Sequence, residues 1–431
     1  MKRLALKRTR YKKLRKQLCI SRLPKNNNDL SAVSFLALYI DFLKLYRSTL
    51  ILCCSIVYSD SIAIEISKKK KNKDFFNQHD IALFDSLYLS IISDYDLYKK
   101  DLNEKNRAVV VARIDRNSKL LMPVFNSLFE LFGSVSNTFI FRNVVINNRQ
   151  LSIISNSIDA GLTYHIKKNN KAISLFFSRY YSIFVNHYSL NDNVYGFIKN
   201  KSCVDNANYH LDNSPASLIN IDINKFFNNC TVVKCLKNNV FTDTIDLFDA
   251  SVDTKIAFSF GIISLLGYCT HNSVFPTGAS FTPVLSNIML IPVDVAIKSY
   301  LSETFGNNVC NIRYSRYVDD ISISSDRAKI NKSYVLTIDT IKCIESILNN
   351  YGFYVKYSKT SIAGPGDKKS VNNIILDNNN HKLSIGTDKK LKYKTIFSKL
   401  FADEEHDYVV ANLPYIKDIN KDQYDYITEQ K

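Results

Sequence analysis

Two aspartates stand side by side, Asp319 and Asp320, inside a run of strand-forming residues, RYVDDISISS at 316–325. Adjacent like charges repel, and burying either without a partner costs on the order of several kcal/mol, so folding alone disfavours the pair. Ile321, Ser322, Ile323 and Ser324 alternate apolar and polar, the period of a half-buried strand. Upstream, Ile312, Tyr314 and Tyr317 are strand formers too, which puts the acids at the bend of a hairpin. Hard divalent cations take carboxylate oxygens that converge from rigid backbone, so the bend is a candidate metal site. A solvated turn is the other reading, because Asp is favoured in turns.

A third acid lies upstream. Residues 218–227 read LINIDINKFF, where Leu218, Ile219, Ile221 and Ile223 have the texture of a buried strand that Asp222 interrupts. An acid in such a strand demands a cation, and no Lys or Arg occupies a matching position within it. If this strand lies beside the hairpin, three carboxylates meet, a set able to hold the two Mg²⁺ ions used to join a nucleotide to a 3′-hydroxyl. A strand-end or turn role for Asp222 is the alternative. Between the acids runs FPTGASFTPVLSNIMLIPVDVAI, residues 275–297. Pro276 and Gly278 mark a loop, Thr282 is a candidate helix cap, and Pro283 suits a first turn ahead of the apolar face Val284, Leu285, Ile288 and Met289.

The 431 residues suffice for two or three packed units. The net charge of +17 points to a polyanionic partner, nucleic acid before anionic membrane. Nine cysteines without a CxxC pair or a His cluster argue against zinc and against a disulfide framework, hence for a reduced cytoplasmic protein. The longest apolar run, residues 50–58, is too short to span a bilayer, and no secretory signal is expected. The opening MKRLALKRTRYKKLRK, with Lys2, Arg3, Lys7, Arg8 and Arg10, is either a solvated tail or a phosphate-gripping arm, and KKKKNK at 68–73 reads as an exposed loop. A buried helix is expected over residues 33–52. A second is expected through Phe84, Leu87, Tyr88, Ile91, Ile92 and Tyr95, capped by Asp80. From about residue 138 the texture reads as short β-rich segments separated by helices.

These residues resemble the reverse transcriptases of bacteria, in particular the retron and phage-defence-associated types. IDINKFF resembles the family's first catalytic motif, FPTGASFTPVLSN its glycine-loop motif, RYVDD its Tyr-x-Asp-Asp hairpin, and YGFYVKYSKT at 351–360 its following Gly-Phe and Lys-Thr segment. Within GFIKNKSCVDNANYH at 196–210, Asn206, Ala207 and His210 match the Asn-Ala-x-x-His spacing of retron enzymes. The resemblance implies an α+β fold: right-hand polymerase fingers and palm over 138–375, a basic, mainly helical extension over 1–137, and a short thumb-like segment over 376–431. It implies that Asp222 and Asp319 bridge two Mg²⁺ ions, that Asp320 supports them more weakly, and that the Ile223 carbonyl completes one coordination sphere. Arg149 in NNRQLSI resembles the fingers arginine that meets the incoming nucleotide. Lys359 would stand near the departing pyrophosphate, Gly278 would admit close backbone approach, and Phe227 would lie beneath the ribose.

The activity implied is RNA-directed DNA synthesis from dNTPs in bacterial antiviral defence, with an RNA template or noncoding RNA, a DNA product, and a homo-oligomeric or companion defence protein as partners. No membrane partner is implied. Three departures stand out. Thr277 replaces the usual Gln before the loop glycine, VNNIIL at 371–376 stands where retrons carry Val-Thr-Gly, and Tyr393, Ile396, Phe397, Leu400 and Phe401 suggest a single thumb helix. With an N-terminal extension longer than retron enzymes carry, they favour a defence-associated reverse transcriptase outside the retrons proper, and Thr277 with the short thumb leaves room for a template-independent or protein-primed polymerase. An inactive nucleic-acid-binding or assembly subunit is the reading from another class.

Overall fold

The structure, a computed structural model, describes residues 32–57, 78–100, 103–135, 160–271, 273–306, 310–398 and 404–429. The labelled elements begin with helices α1 (Ala32–Val57), α2 (Gln78–Tyr98), α3 (Glu104–Val135), α4 (Ala160–His187) and α5 (Cys203–Leu211). Strand β1 (Ser217–Asp222) precedes α6 (Val252–Tyr268), α7 (Thr282–Met289) and α8 (Ile291–Phe305), then β2 (Ile312–Tyr317), β3 (Asp320–Ser325) and α9 (Ile338–Asn350). Strands β4 (Ser361–Ala363), β5 (Lys369–Val371), β6 (Ile374–Asp377) and β7 (Lys382–Ser384) lead into α10 (Thr387–Phe397), α11 (Glu404–Ile419) and α12 (Lys421–Thr428). Among the described residues no single helix is long and apolar enough to cross a membrane.

One compact unit takes the described residues up to His187 together with Phe227–Ile291. It is helical. The apolar texture of residues 33–52 becomes α1, whose Phe35, Phe42 and Tyr46 rings meet Phe84, Phe125, Phe176 and Phe258 of the surrounding helices edge-on or tilted. The expected α2 forms, burying Phe84, Leu87, Ile91 and Tyr95. It begins at Gln78, however, so Asp80 sits inside the first turn, where its charge complements the helix dipole, and does not cap.

The expected alternation of short strands and helices is present from residue 217 onward, but not at the start of the described part of that region. Residues 160–187 form a helix of 28 residues, and the first strand among the described residues is β1. Ile, Tyr, Phe and Val there favour strands in isolation. Ile173, Phe177, Tyr180 and Phe184 nonetheless recur at three- and four-residue steps and are buried, so the helical period outweighs β propensity.

The other unit takes Tyr188–Phe226 and Pro292 onward. Its four-stranded antiparallel sheet has the order β2-β3-β1-β4. A three-stranded sheet, β5-β6-β7, shares one hydrophobic cluster with α5, α10, α11 and α12, through Leu211, Val371, Leu376, Tyr393, Val409 and Ile427. The C-terminal segment therefore holds three helices where one was expected. The apolar spacing behind that expectation belongs to α10, while Leu400 and Phe401 lie outside the described residues.

Candidate active site

The hairpin β2–β3 closes at Tyr317 and Asp320, which face each other and leave a two-residue turn of Val318 and Asp319. Val318 has φ of 61°. A positive φ at the first of two turn residues suits the right-handed twist of a hairpin, but glycine usually takes it, and a β-branched side chain there is strained. The surroundings over-determine the turn. Arg316, with no exposed surface, donates from Nε and Nη2 to the two oxygens of the equally buried Asp294, each at 2.8 Å, and from Nη1 to the Val318 carbonyl at 2.9 Å. Tyr314 donates its hydroxyl to Asp294 at 2.5 Å. Gly196 packs against the turn so closely that a Cβ there would collide with the Val318 amide nitrogen.

Asp222 ends β1, directly opposite Asp320 in the β1–β3 register. It is not mid-strand, as the sequence suggested. The Ile223 amide donates to the Asp319 carbonyl at 3.0 Å and the Lys356 amide to the Asp222 carbonyl at 2.8 Å, so backbone alone brings the three acids to one edge. The cation missing within the strand arrives from elsewhere: Lys359 Nζ donates to Asp222 Oδ2 at 3.1 Å.

Burial pushes the Asp319 carboxyl above its ordinary value, and the Asp222 charge adds to this. Asp320 is likewise raised, first by burial and then by Asp319 and Asp222, against a hydrogen bond from Asn372 and the charge of Lys359. The hydrogen bond with Asp222 raises Lys359, which is therefore an ammonium at neutral pH. The acids thus meet as like charges beside one exposed lysine. Among the described residues no three acidic, His or Cys side chains stand close enough to enclose an ion as they are, so the expected convergence is present in strand register but not in ligand geometry. The donor set still fits Mg²⁺: it is all carboxylate oxygen, on rigid strand ends, with a charge excess that calls for a cation.

The family model for reverse transcriptase (RNA-dependent DNA polymerase) matches residues 161–394, which contain the sheet, the three acids and Lys359. The chain belongs to the reverse transcriptase family. Over 206 residues it is 27% identical to the retron Ec86 reverse transcriptase of Escherichia coli, covering 48% of this chain and 54% of that one. The retron Ec83 enzyme of the same organism is 26% identical over 206 residues (47% and 61%), and the Ec73 enzyme 22% over 244 residues (54% and 72%). The chain thus spans a little over half the length of the first two. Membership implies the fingers-and-palm fold of polymerases, consistent with the mixed helix and sheet seen.

Against that family pattern, the remaining expected residues divide. Gly278 lies in an exposed loop with φ of 93°, a conformation side chains disfavour, just before α7. Thr282 opens α7 without capping it: the cap position is Phe281, and the Thr282 hydroxyl donates to the Pro276 carbonyl at 2.6 Å. Phe226 is buried with its ring 5.9 Å from that of Phe353, as expected of a core residue. Phe227 is half-buried and described with the helical unit, as is Gly278. Both phenylalanines start a short helix, Phe226–Asn229, so their side chains diverge by the helical step and not by strand alternation. Arg149, Lys2, Arg3, Lys7, Arg8, Arg10 and residues 68–73 lie outside the described residues.

His210 is wholly buried, its two ring nitrogens hydrogen-bonded to Ser324 Oγ (2.8 Å) and Ser315 Oγ (2.7 Å). Burial, with help from the Arg313 charge, pushes its pKa down to about 3, so it is a neutral staple across β2 and β3. Sequence reasoning missed Asp294, Gly196 and Asn372. Two had a local signal: VNNI, two Asn between strand formers, is the mark of a two-residue hairpin turn, and Asp294 is an acid inside the apolar run LIPVDVAI.

Proposed function

We propose that this chain is an RNA-directed DNA polymerase that extends a 3′-hydroxyl with dNTPs by a two-metal mechanism. The observation that carries it is the register that sets Asp222 opposite Asp320, beside Asp319, with Lys359 at hand. Asp222 and Asp319 would bridge two Mg²⁺ ions, with Asp320 and the Ile223 carbonyl in support. Bound there, Mg²⁺ supplies the positive charge that activates the 3′-hydroxyl and neutralises the triphosphate. Lys359, protonated on an exposed stem, is suited to leave Asp222 and meet the charge that develops on the departing pyrophosphate. In domain terms, 138–375 forms fingers and palm, 1–137 an extension and 376–431 a thumb-like segment. We place the enzyme in the bacterial cytoplasm, in antiviral defence with a noncoding RNA, on the order of its motifs and its retron relatives.

The test is primer extension on an RNA template with Mg²⁺ and dNTPs, alongside sequencing of co-purified nucleic acid. Template-complementary product supports the reading. Product without a complement would favour template-free synthesis, the variant motivated by Thr277. Absence of any product with Mg²⁺ or Mn²⁺ would return the chain to a binding subunit.

Phe227 would bar ribonucleotides. A flat ring beneath the sugar leaves a 2′-hydroxyl neither room nor a partner, at a cost of about 1–3 kcal/mol. Phe227→Ala should therefore raise rNTP over dNTP incorporation by about ten- to a hundredfold, whereas Phe226→Ala should chiefly lower the melting temperature. An active Phe227→Ala enzyme with unchanged sugar preference would refute the assignment. Deleting residues 1–16 should weaken RNA binding and flatten its salt dependence, the log–log slope falling by about one for each phosphate the segment grips. Filter binding across a salt series measures this, and an unchanged slope would make the segment a solvated tail.

A further inference from the structure

Asp320 accepts a hydrogen bond at Oδ2 from Asn372 Nδ2 at 3.2 Å, and Asn372 Oδ1 in turn accepts from Asn206 Nδ2 at 2.7 Å. The polarity of this chain is set from one end. A carboxylate can only accept, so Asn372 must present its NH₂ to Asp320, which turns its carbonyl toward Asn206 and requires the NH₂ of Asn206 in reply. Asn372 and Asn373 form the two-residue tip of the β5–β6 hairpin, with φ of 50° and 63°, and Val371 pairs with Ile374 around them. Both left-handed residues are of the type that tolerates this conformation, and the turn pattern matches strand twist, so the tip is pre-organised. Its root is tied as well: Asn220, in mid-β1, donates to the Ser370 carbonyl at 2.9 Å and accepts from Ser322 Oγ at 2.8 Å.

Asn206 has no exposed surface, and its Oδ1 accepts no hydrogen bond among the described residues. A half-satisfied buried amide costs stability that an apolar residue would not. Its remaining side-chain hydrogen bond is the one that leads to Asp320. On α5, Asn206 and His210 lie one helical turn apart, so the same face holds the carboxylate through Asn372 and staples β2 to β3 through His210.

We propose that Asn206 and Asn372 are positioning residues, a two-amide relay that sets the orientation of the Asp320 carboxylate and thereby the affinity of the site for divalent metal. The inference rests on Asp222, Asp319 and Asp320 being the metal-holding acids. Loss of a group that orients a metal ligand typically weakens metal binding by about ten- to a hundredfold.

The test is calorimetric titration of the full chain with Mn²⁺, without nucleotide or nucleic acid, with thermal melting measured on the same samples. Asn372→Ala should bind Mn²⁺ about tenfold more weakly. Its melting temperature should fall as well, because alanine strains the left-handed tip and buried Asn206 loses its partner. Asn206→Ala should weaken it similarly, and the double variant no further, because the two act in series. Asn373→Gly keeps the turn and touches no relay atom, so its affinity should equal that of wild type. In primer extension, Asn372→Ala should need more Mg²⁺ yet recover kcat at saturation. Wild-type affinity in Asn372→Ala, or a lowered melting temperature with unchanged metal binding, would overturn the relay and leave the metal reading standing. A wild-type chain that bound no Mn²⁺ would remove both, and is a separate result.

Discussion

Asp319→Asn is expected to lose nucleotide incorporation by about a thousandfold or more, since the charge that holds the metal is worth several kcal/mol in the transition state. The variant keeps the shape of the side chain, and the backbone carbonyl that receives the Ile223 amide is untouched. Stability should not follow activity down. The folded-state pKa of Asp319 lies above the ordinary 3.8 because of burial and then Asp222. The native chain therefore binds more protons than the unfolded chain between that value and the raised one, and stability falls as pH rises through the window. At neutral pH without metal, ionised Asp319 is a cost to the native state, and Asn removes it. Melting in a chelator-treated buffer should place the variant no lower than wild type, with Mg²⁺ raising the wild type more than the variant. Near wild-type extension by Asp319→Asn would overturn the metal assignment.

Asp294→Ala should have the largest effect on stability. It leaves the guanidinium of Arg316 wholly buried with no counter-charge, a loss of about 3–5 kcal/mol. For units of this size that corresponds to a fall in melting temperature of roughly 10 °C. Replacing the pair together, Asp294→Leu with Arg316→Met, should recover part of the loss, because a buried ion pair and an apolar pair of like volume are often equivalent, while the buried Tyr314 hydroxyl still loses this acceptor. Activity should not recover with it. The Nη1 bond to the Val318 carbonyl is gone in the double variant, and the strained turn that presents Asp319 and Asp320 loses a restraint. Chemical denaturation and primer extension on the three proteins separate the two effects. A single Asp294→Ala variant melting within about a degree of wild type would show that the buried pair is not what holds the hairpin.

Much of the site was legible because its signals are anomalies within local patterns. An acid among strand formers stands out at Asp222, and a pair of acids between two alternating arms stands out at Asp319 and Asp320. The helices α1 and α2 followed from apolar spacing in the same way. Where expectation failed, two local rules competed: β-forming side chains carried by a helical period in α4, and a Thr-Pro pair whose Thr falls inside α7. Lys359 was expected near the reacting phosphates, but its bond to Asp222 closes through the turn at 357–359, which no pattern in the strand announces.

The chain by itself determined which residues would carry the chemistry and in what order, since charge, period and turn chemistry are written in short stretches. Which acid faces which was decided by sheet register, and register is set by the burial of whole strand faces. The positive φ of Val318, the closure of Arg316 on Asp294 and the reach of Asn372 to Asp320 were decided only in three dimensions. Each joins residues from separate elements, and an interaction of that kind has no period to betray it; its energy exists only once packing has excluded water and placed both partners.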